Sequence, residues 1–223
     1  MSYSNGPRIV NDGLVLYLDA GNSKSYPGAG TTWYDLSNNG NNFTLSNSIY
    51  NNQNRGSLSM GSNIRIYKSG TVLNKDNNLT IIVVFSGACS YLEGHSGGCT
   101  LNYLSADNTG AILDQYLPSG SGDRVNLSYA SNSGIKIIAH TLTPDRTATW
   151  FYNGSFYSGG TGETYTGGCG SLEETIIGNR TVSSNTNHSP VSGRISIIQI
   201  YNRTLSPTEI LQNYNATKGR FNL

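Results

Sequence analysis

Glycoside hydrolysis needs two carboxylates flanking the scissile bond, usually ~5–9 Å apart. The chain offers five Glu: Glu93, Glu163, Glu173, Glu174 and Glu209. One strand-borne arrangement for that chemistry is Glu-x-Asp-x-x-Glu, and none of the five has an Asp two residues on. Glu173 and Glu174 are adjacent, so on a strand they would point to opposite faces. A nucleophilic Ser calls for a Gly-x-Ser-x-Gly elbow ahead of a helix, whereas Ser119-Gly-Ser-Gly122 reads as a flexible loop tip. Gly159-Gly-Thr-Gly162 and Gly167-Gly-Cys-Gly170 lack the Lys and helix that a phosphate cradle requires, and read as loops. The expectation is a protein without catalytic residues.

Binding chemistry fares better. Sugars are held by aromatic faces stacked on their rings, with Asn, Asp or Arg reading the hydroxyls. Tyr91, His95, Tyr103, Asp107, Tyr116, Arg124 and Tyr129 supply those types within one stretch of the chain. Tyr91 and His95 lead, because they sit in a polar, Gly-rich stretch rather than a strand. The competing reading makes these Tyr ordinary strand residues, half-buried on a pleated surface. Calcium would need clustered carboxylate and amide oxygens. Asp19 with Asn22, Asp76 with Asn77 and Asn78, and Asp107 with Asn108 are weak candidates, since no Asp-x-Asp-x-Asp-Gly loop exists and Asn/Asp at turns follow from tolerance of the left-handed region. His95, His140 and His188 are too scattered among Cys89, Cys99 and Cys169 to form a transition-metal set. Three cysteines cannot all pair within one chain. A Cys89–Cys99 bridge is conceivable, but free thiols fit better the reducing compartment inferred below. No cofactor is expected, calcium apart.

Charged residues make up only 12% of the 223 residues and the formal net charge is +1, with no run of Lys or Arg. A nucleic-acid partner would demand a basic stripe to neutralise phosphates. The longest apolar stretch, Leu79 to Phe85, is far short of the ~20 residues of a spanning helix. The opening MSYSNGPRIV has neither the charged n-region nor the apolar h-region of a secretory signal, so synthesis and folding in a cytoplasm are expected. Aromatics reach 10%, dominated by 15 Tyr, enough with the Val/Ile-rich runs to build a core rather than a disordered chain.

The elements that would carry these residues are short strands. Leu14–Leu18 reads as a buried strand, followed by a polar stretch from Asn22 to Gly40 that wraps an edge, pinned by Trp33 and Leu36. Strands are predicted at Phe43–Leu45, Ser57–Met60, Ile64–Tyr67 and Leu79–Ser86, the last apolar on both faces and therefore central. Between Gly87 and Ser133 only Ala111–Leu117 and Arg124–Ala130 suggest strands. Ile135–Leu142, Thr147–Tyr152, Ser155–Tyr157, Thr175–Ile177 and Arg194–Tyr201 follow. Asn153-Gly154 is a hairpin signal, because both residues tolerate the positive φ of a type I′ turn. One short helix is predicted: Ser206 caps it, Pro207 opens it and Glu209 completes a capping box. Leu205 and Ile210 form the staple pair, Ile210, Leu211 and Tyr214 its apolar face, and Gly219 its C′ residue. Many short strands with turn residues between them predict an all-β, two-sheet antiparallel sandwich spanning 1–223 as a single domain, with 1–10 as an extended arm.

The segments Asp12-Gly-Leu-Val-Leu-Tyr-Leu-Asp-Ala-Gly-Asn22, Tyr26-Pro-Gly-Ala-Gly-Thr-Thr-Trp-Tyr-Asp-Leu-Ser37 and Asn39-Gly-Asn-Asn42 resemble the opening of laminin-G-like, concanavalin A-like domains of tailed phages. The run from Gly193 to Phe221 resembles that family's close, and Thr149–Gly154 and Ile176–Gly178 match its hairpin and its isoleucine-glycine strand. From Arg55 to Ser133 the match is poor. The resemblance implies a concanavalin A-like jelly roll and a non-enzymatic virion surface protein: a head decoration, a head fibre or a tail-associated module. Its partners would be other virion proteins, copies of itself and a host surface glycan. A carbohydrate-binding adhesin is the alternative, and a polysaccharide-active enzyme a lesser one. The matching residues are fold determinants, so they speak to fold more than to function.

Overall fold

A computed structural model describes residues 7–52, 55–61, 64–70, 72, 78–96, 99–106, 110–115, 123–128, 134–143, 147–161, 174–178 and 193–223, through the backbone alone at 89–128, 158–161, 174 and 178. These residues form sixteen strands and one helix. The strands are β1 (Leu14–Asp19), β2 (Thr32–Trp33), β3 (Phe43–Ser46), β4 (Tyr50–Asn51), β5 (Ser57–Met60), β6 (Arg65–Ser69), β7 (Leu79–Gly87) and β8 (Cys89–Ser96). After them come β9 (Cys99–Ala106), β10 (Gly110–Gln115), β11 (Asp123–Ser128), β12 (Lys136–Leu142), β13 (Thr147–Tyr152), β14 (Ser155–Thr161), β15 (Glu174–Gly178), β16 (Gly193–Tyr201) and the helix α1 (Pro207–Phe221).

All pairings are antiparallel. The first sheet runs β14-β13-β12-β7-β16-β5-β4, with β1 also on β16; the second runs β11-β10-β9-β8-β15-β6-β3-β2. The expected two-sheet, jelly-roll-like sandwich is what forms. β16 serves two partners along one edge: β5 takes Gly193–Ile195 and β1 takes Ile197–Tyr201, and the register of β16 against β7 shifts between Ile195 and Ile197. Period-2 alternation explains the core. Ile81, Val83 and Phe85 of β7 and Ile138 of β12 join Ile198 and Ile200 of β16 in the layer between the sheets. Ile82, Val84, Ile137, Ala139 and Ile197 turn to the opposite face, where Val10, Leu205, Ile210 and Phe221 cover them. The central strand predicted at Leu79–Ser86 is thus buried on both faces.

Helix α1 begins as expected. Ser206 is the N-cap, its hydroxyl accepts from the Glu209 N–H at 3.3 Å, and Glu209 accepts from the Ser206 N–H at 2.8 Å. Glu209 also holds Arg203 in a two-pronged pair. Two expectations at the helix change. Gly219 lies inside α1, which is closed instead by Asn222 in the left-handed region (φ 58). Leu211 is 45% exposed, and the buried face is Ile210, Asn213, Thr217 and Phe221. Those positions follow each other at three or four residues, one stripe of a 3.6-residue helix, and Leu211 falls outside it.

A polar Asn is tolerated on that stripe because it is satisfied. Asn213 accepts from the Val10 N–H at 2.8 Å and donates to the Tyr201 hydroxyl, which in turn donates to the Val10 carbonyl. This ring of three bonds ties arm, helix and sheet together. At the other end of α1, Arg220 grips the buried Asp19 carboxylate at 2.6 and 2.7 Å and donates to the Arg55 carbonyl. The polar stretch after β1 is organised by Asp35. Its carboxylate accepts four hydrogen bonds, from the N–H groups of Tyr17, Ser37 and Asn41 and from the Ser37 hydroxyl. Trp33 is fully buried as the anchor of this stretch, while Leu36 is half-buried.

Two further expectations are corrected. β8 and β9 occupy a region read as loop, so the sheet is larger than the sequence suggested. β14 runs on through Gly159 and Gly160 to Thr161, which had been read as a loop. The hairpin at Asn153-Gly154 forms as predicted, with φ of 47° and 81°.

Candidate functional site

Tyr91 and His95 are not in a loop but on β8. Local composition misled here: Gly94 and the polar neighbours mask a strand whose existence depends on pairing with β9 and β15, distant in sequence. Register then separates the candidates by face. Tyr91 pairs with Ile177, which pairs with Ile66, and both isoleucines are fully buried between the sheets. Residues opposite one another share a face, so Tyr91 and, two pairs along, His95 occupy core-side register positions.

The neighbouring row is different. Asp114 of β10 pairs with Tyr103 of β9 on one side and Arg124 of β11 on the other. The same row continues through Leu92 and Ile176 to Tyr67 and Thr44. Alternation assigns it to the face turned away from the sandwich core. Tyr103 and Arg124 were both expected at a site. Asp114, which register sets between them, was missed. Its only signal was its place on a strand whose partner begins with Asp123-Arg124 after a Gly/Ser loop. At an inter-strand spacing of about 4.8 Å, the three positions span about 10 Å.

Farther along this face, the Arg65 guanidinium stacks 4.0 Å from the centre of the Tyr67 ring. Thr44, Ser46 and Ser69 are exposed there, but Ile176 is buried between them and β8, so that exposed stretch ends at β15. The other face of the sandwich carries α1 and the Val10 arm over the first sheet. Asp107, Tyr116 and Tyr129 lie outside the described residues.

Two of the weak calcium candidates have other work. Asp19 is 5% exposed, paired with Arg220, and accepts from the Gly21 N–H at 2.9 Å. Asn22 closes a turn by accepting from the Lys24 N–H. Neither leaves a carboxylate-rich shell for a dication. Asp76 and Asn77 lie outside the described residues, as Asp107 and Asn108 do. Among the described residues no group of three or more His, Cys, Asp or Glu could hold a metal ion. The Glu209 carboxyl is held down at about 2 by its hydrogen bonds with Arg203, then by those with Ser206, so it is a committed anion rather than an acid catalyst. Glu174 starts β15, and Glu173 lies outside the described residues.

Cys89 pairs with Ala106 and Cys99 with Ser96, at opposite ends of the β8–β9 hairpin. Seven residues of strand separate them by about 23 Å, against the ~7 Å limit for bridging. A bond between those two is incompatible with this register. His140 is fully buried on β12, edge-on to Trp150 at 4.7 Å, with neither ring nitrogen hydrogen-bonded. Burial lowers it to about 3, so it is a neutral core residue at ordinary pH.

Phe156 and Tyr157 on β14 are 65% and 44% exposed. Sequence reasoning absorbed them into a hairpin strand; their exposure follows from β14's place as the last strand of its sheet, which no local signal marks.

No family model matches the chain, and no curated protein matches it. Solved structures do. A structure of botulinum neurotoxin type C, whose cell entry is described as dependent upon interaction with two ganglioside molecules, matches with a TM-score of 0.69 at 12% identity, covering 96% of this chain and 53% of that one. The binding domain of botulinum neurotoxin DC in complex with SialylT gives 0.69 at 13% identity, covering 93% and 52%. The binding domain of Paraclostridial Mosquitocidal Protein 1 gives 0.63 at 14%, covering 92% and 52%. At such identities the shared property is the fold. The chain spans about half the length of these structures.

Proposed function

We propose that the chain is a non-catalytic binding module that recognises a carbohydrate on the outward face of its second sheet, at Tyr103, Asp114 and Arg124. The observation that carries this is their placement in one register row on three adjacent strands, β9, β10 and β11. An aromatic, a carboxylate and a guanidinium in that order supply a stacking surface, an acceptor and a fork of donors for sugar hydroxyls. Strand-borne positions are also more rigid than loop positions, which lowers the ordering cost of binding. The similar solved structures are binding domains, and two are described with gangliosides or SialylT. Because those chains are about twice as long, they support the class of ligand and not the location of the site. A glycan array tests the reading. Saturable, competable binding that Arg124→Ala weakens at least tenfold is expected; uniformly blank arrays would overturn it.

A second reading concerns setting: a virion surface protein of a tailed phage, assembled with other virion proteins or copies of itself. Its support is the resemblance at the two ends of the chain, which meet in the fold through β1 on β16 and Asp19 on Arg220. The two readings are compatible, since a particle surface is where a glycan-binding module meets its host. Mass spectrometry of purified particles decides the second, and absence from them sinks it.

A further inference from the structure

We infer that the carbohydrate face continues round the edge of the sandwich onto β14, where Phe156 and Tyr157 stack further sugars of an extended chain. This rests on the reading above and deepens it. β11, which carries Arg124, ends the second sheet; β14 ends the first; and the two strands lie against each other. The Tyr103–Asp114–Arg124 row therefore runs out at the same edge that exposes the two aromatics.

Three features fit Phe156 and Tyr157 to sugar rings rather than to a protein strand. The first is rigidity. The Asn153 side chain accepts from the Ile137 N–H at 3.1 Å, and Gly154 sits so close to Tyr214 that a Cβ there would lie 2.6 Å from its ring. Phe156 stands edge-on to Phe151 at 6.2 Å and Tyr157 is tilted against Tyr152 at 6.5 Å, so both rings are held before any ligand arrives. The second is a bulge. Trp150 pairs with Ser158 and Phe151 with Phe156, which leaves Tyr157 as an extra residue. Bulges at an edge turn it away from pairing with another strand and re-aim side chains. The third is charge: Ser-Phe-Tyr-Ser-Gly-Gly-Thr contains none, which suits a neutral sugar chain better than an acidic one.

The probes are the polysaccharide that the array identifies and short oligosaccharides cut from it. The F156A/Y157A double variant should bind the polysaccharide about tenfold more weakly, while its affinity for the short fragments is unchanged. Arg124→Ala should weaken both. Phe156→Ala alone should show a smaller loss on the polysaccharide, and both variants should remain folded at the assay temperature, since each ring removed takes with it an edge contact to Phe151 or Tyr152 and no fully buried side chain. If the double variant binds the polysaccharide like wild type while Arg124→Ala does not, the extension to β14 is wrong and the site on the second sheet stands. If no polysaccharide binds the wild type, both fall together.

Discussion

His140 shows how a single residue ties stability to pH. Both ring nitrogens are buried without partners, and burial lowers the imidazole from 6.5 to about 3. The unfolded chain takes up a proton at pH 6.5 that the folded chain refuses until about pH 3. The stability is therefore fully present above pH 6.5, falls by about 1.4 kcal/mol per pH unit below it, and is lost by about pH 3. His140→Phe keeps a ring against Trp150 and removes both unpaired nitrogens. Urea midpoints at pH 7 and pH 5 should fall clearly for wild type and much less for the variant; parallel falls would show that His140 is not the group responsible. Glu209, held at about 2, adds a loss only in stronger acid, and its partial exposure keeps that small.

Among the elements, those whose signals are local were legible and those made by distant pairing were not. The capping box of α1, the Asn153-Gly154 hairpin and the doubly buried β7 each rest on a few adjacent residues, and each formed where expected. β8 and β9 have mixed polar sequences whose strand state depends on β15 and on each other. The reading of Tyr91 and His95 as lying outside a strand failed with them, and their face was not legible at all, since face follows register and register is not a local property. The buried Asn213 on α1 was illegible for the same reason: its partners, Val10 and Tyr201, come from both ends of the chain. Ser206→Ala should cost about 1 kcal/mol as a lost N-cap. Ile210→Ala removes a side chain wedged against the first sheet and should cost about 2–4 kcal/mol. Neither should change glycan affinity measured well below the melting temperature. A stable Ser206→Ala protein with weakened binding would place α1 in the interface instead.

At the scale of the molecule, the two outward faces have divided roles. The first sheet's is covered over β7, β12 and β16 by α1 and the arm, with Asp19–Arg220 and the Val10–Asn213–Tyr201 ring as clasps. That makes the Val10 segment and α1 part of the scaffold; the proposed ligand surface is the β9–β11 part of the second sheet's outward face, with the adjoining β14 edge. The resemblance at the ends consequently identified structure, while the region it did not cover contains the candidate site. The most direct test is backbone amide NMR of the protein titrated with a short oligosaccharide cut from the array-identified polysaccharide. The largest shifts should fall on amides of β9, β10 and β11 around Tyr103, Asp114 and Arg124. Shifts confined to α1 or to the 22–40 stretch, or no shifts at all, would contradict the placement of the site.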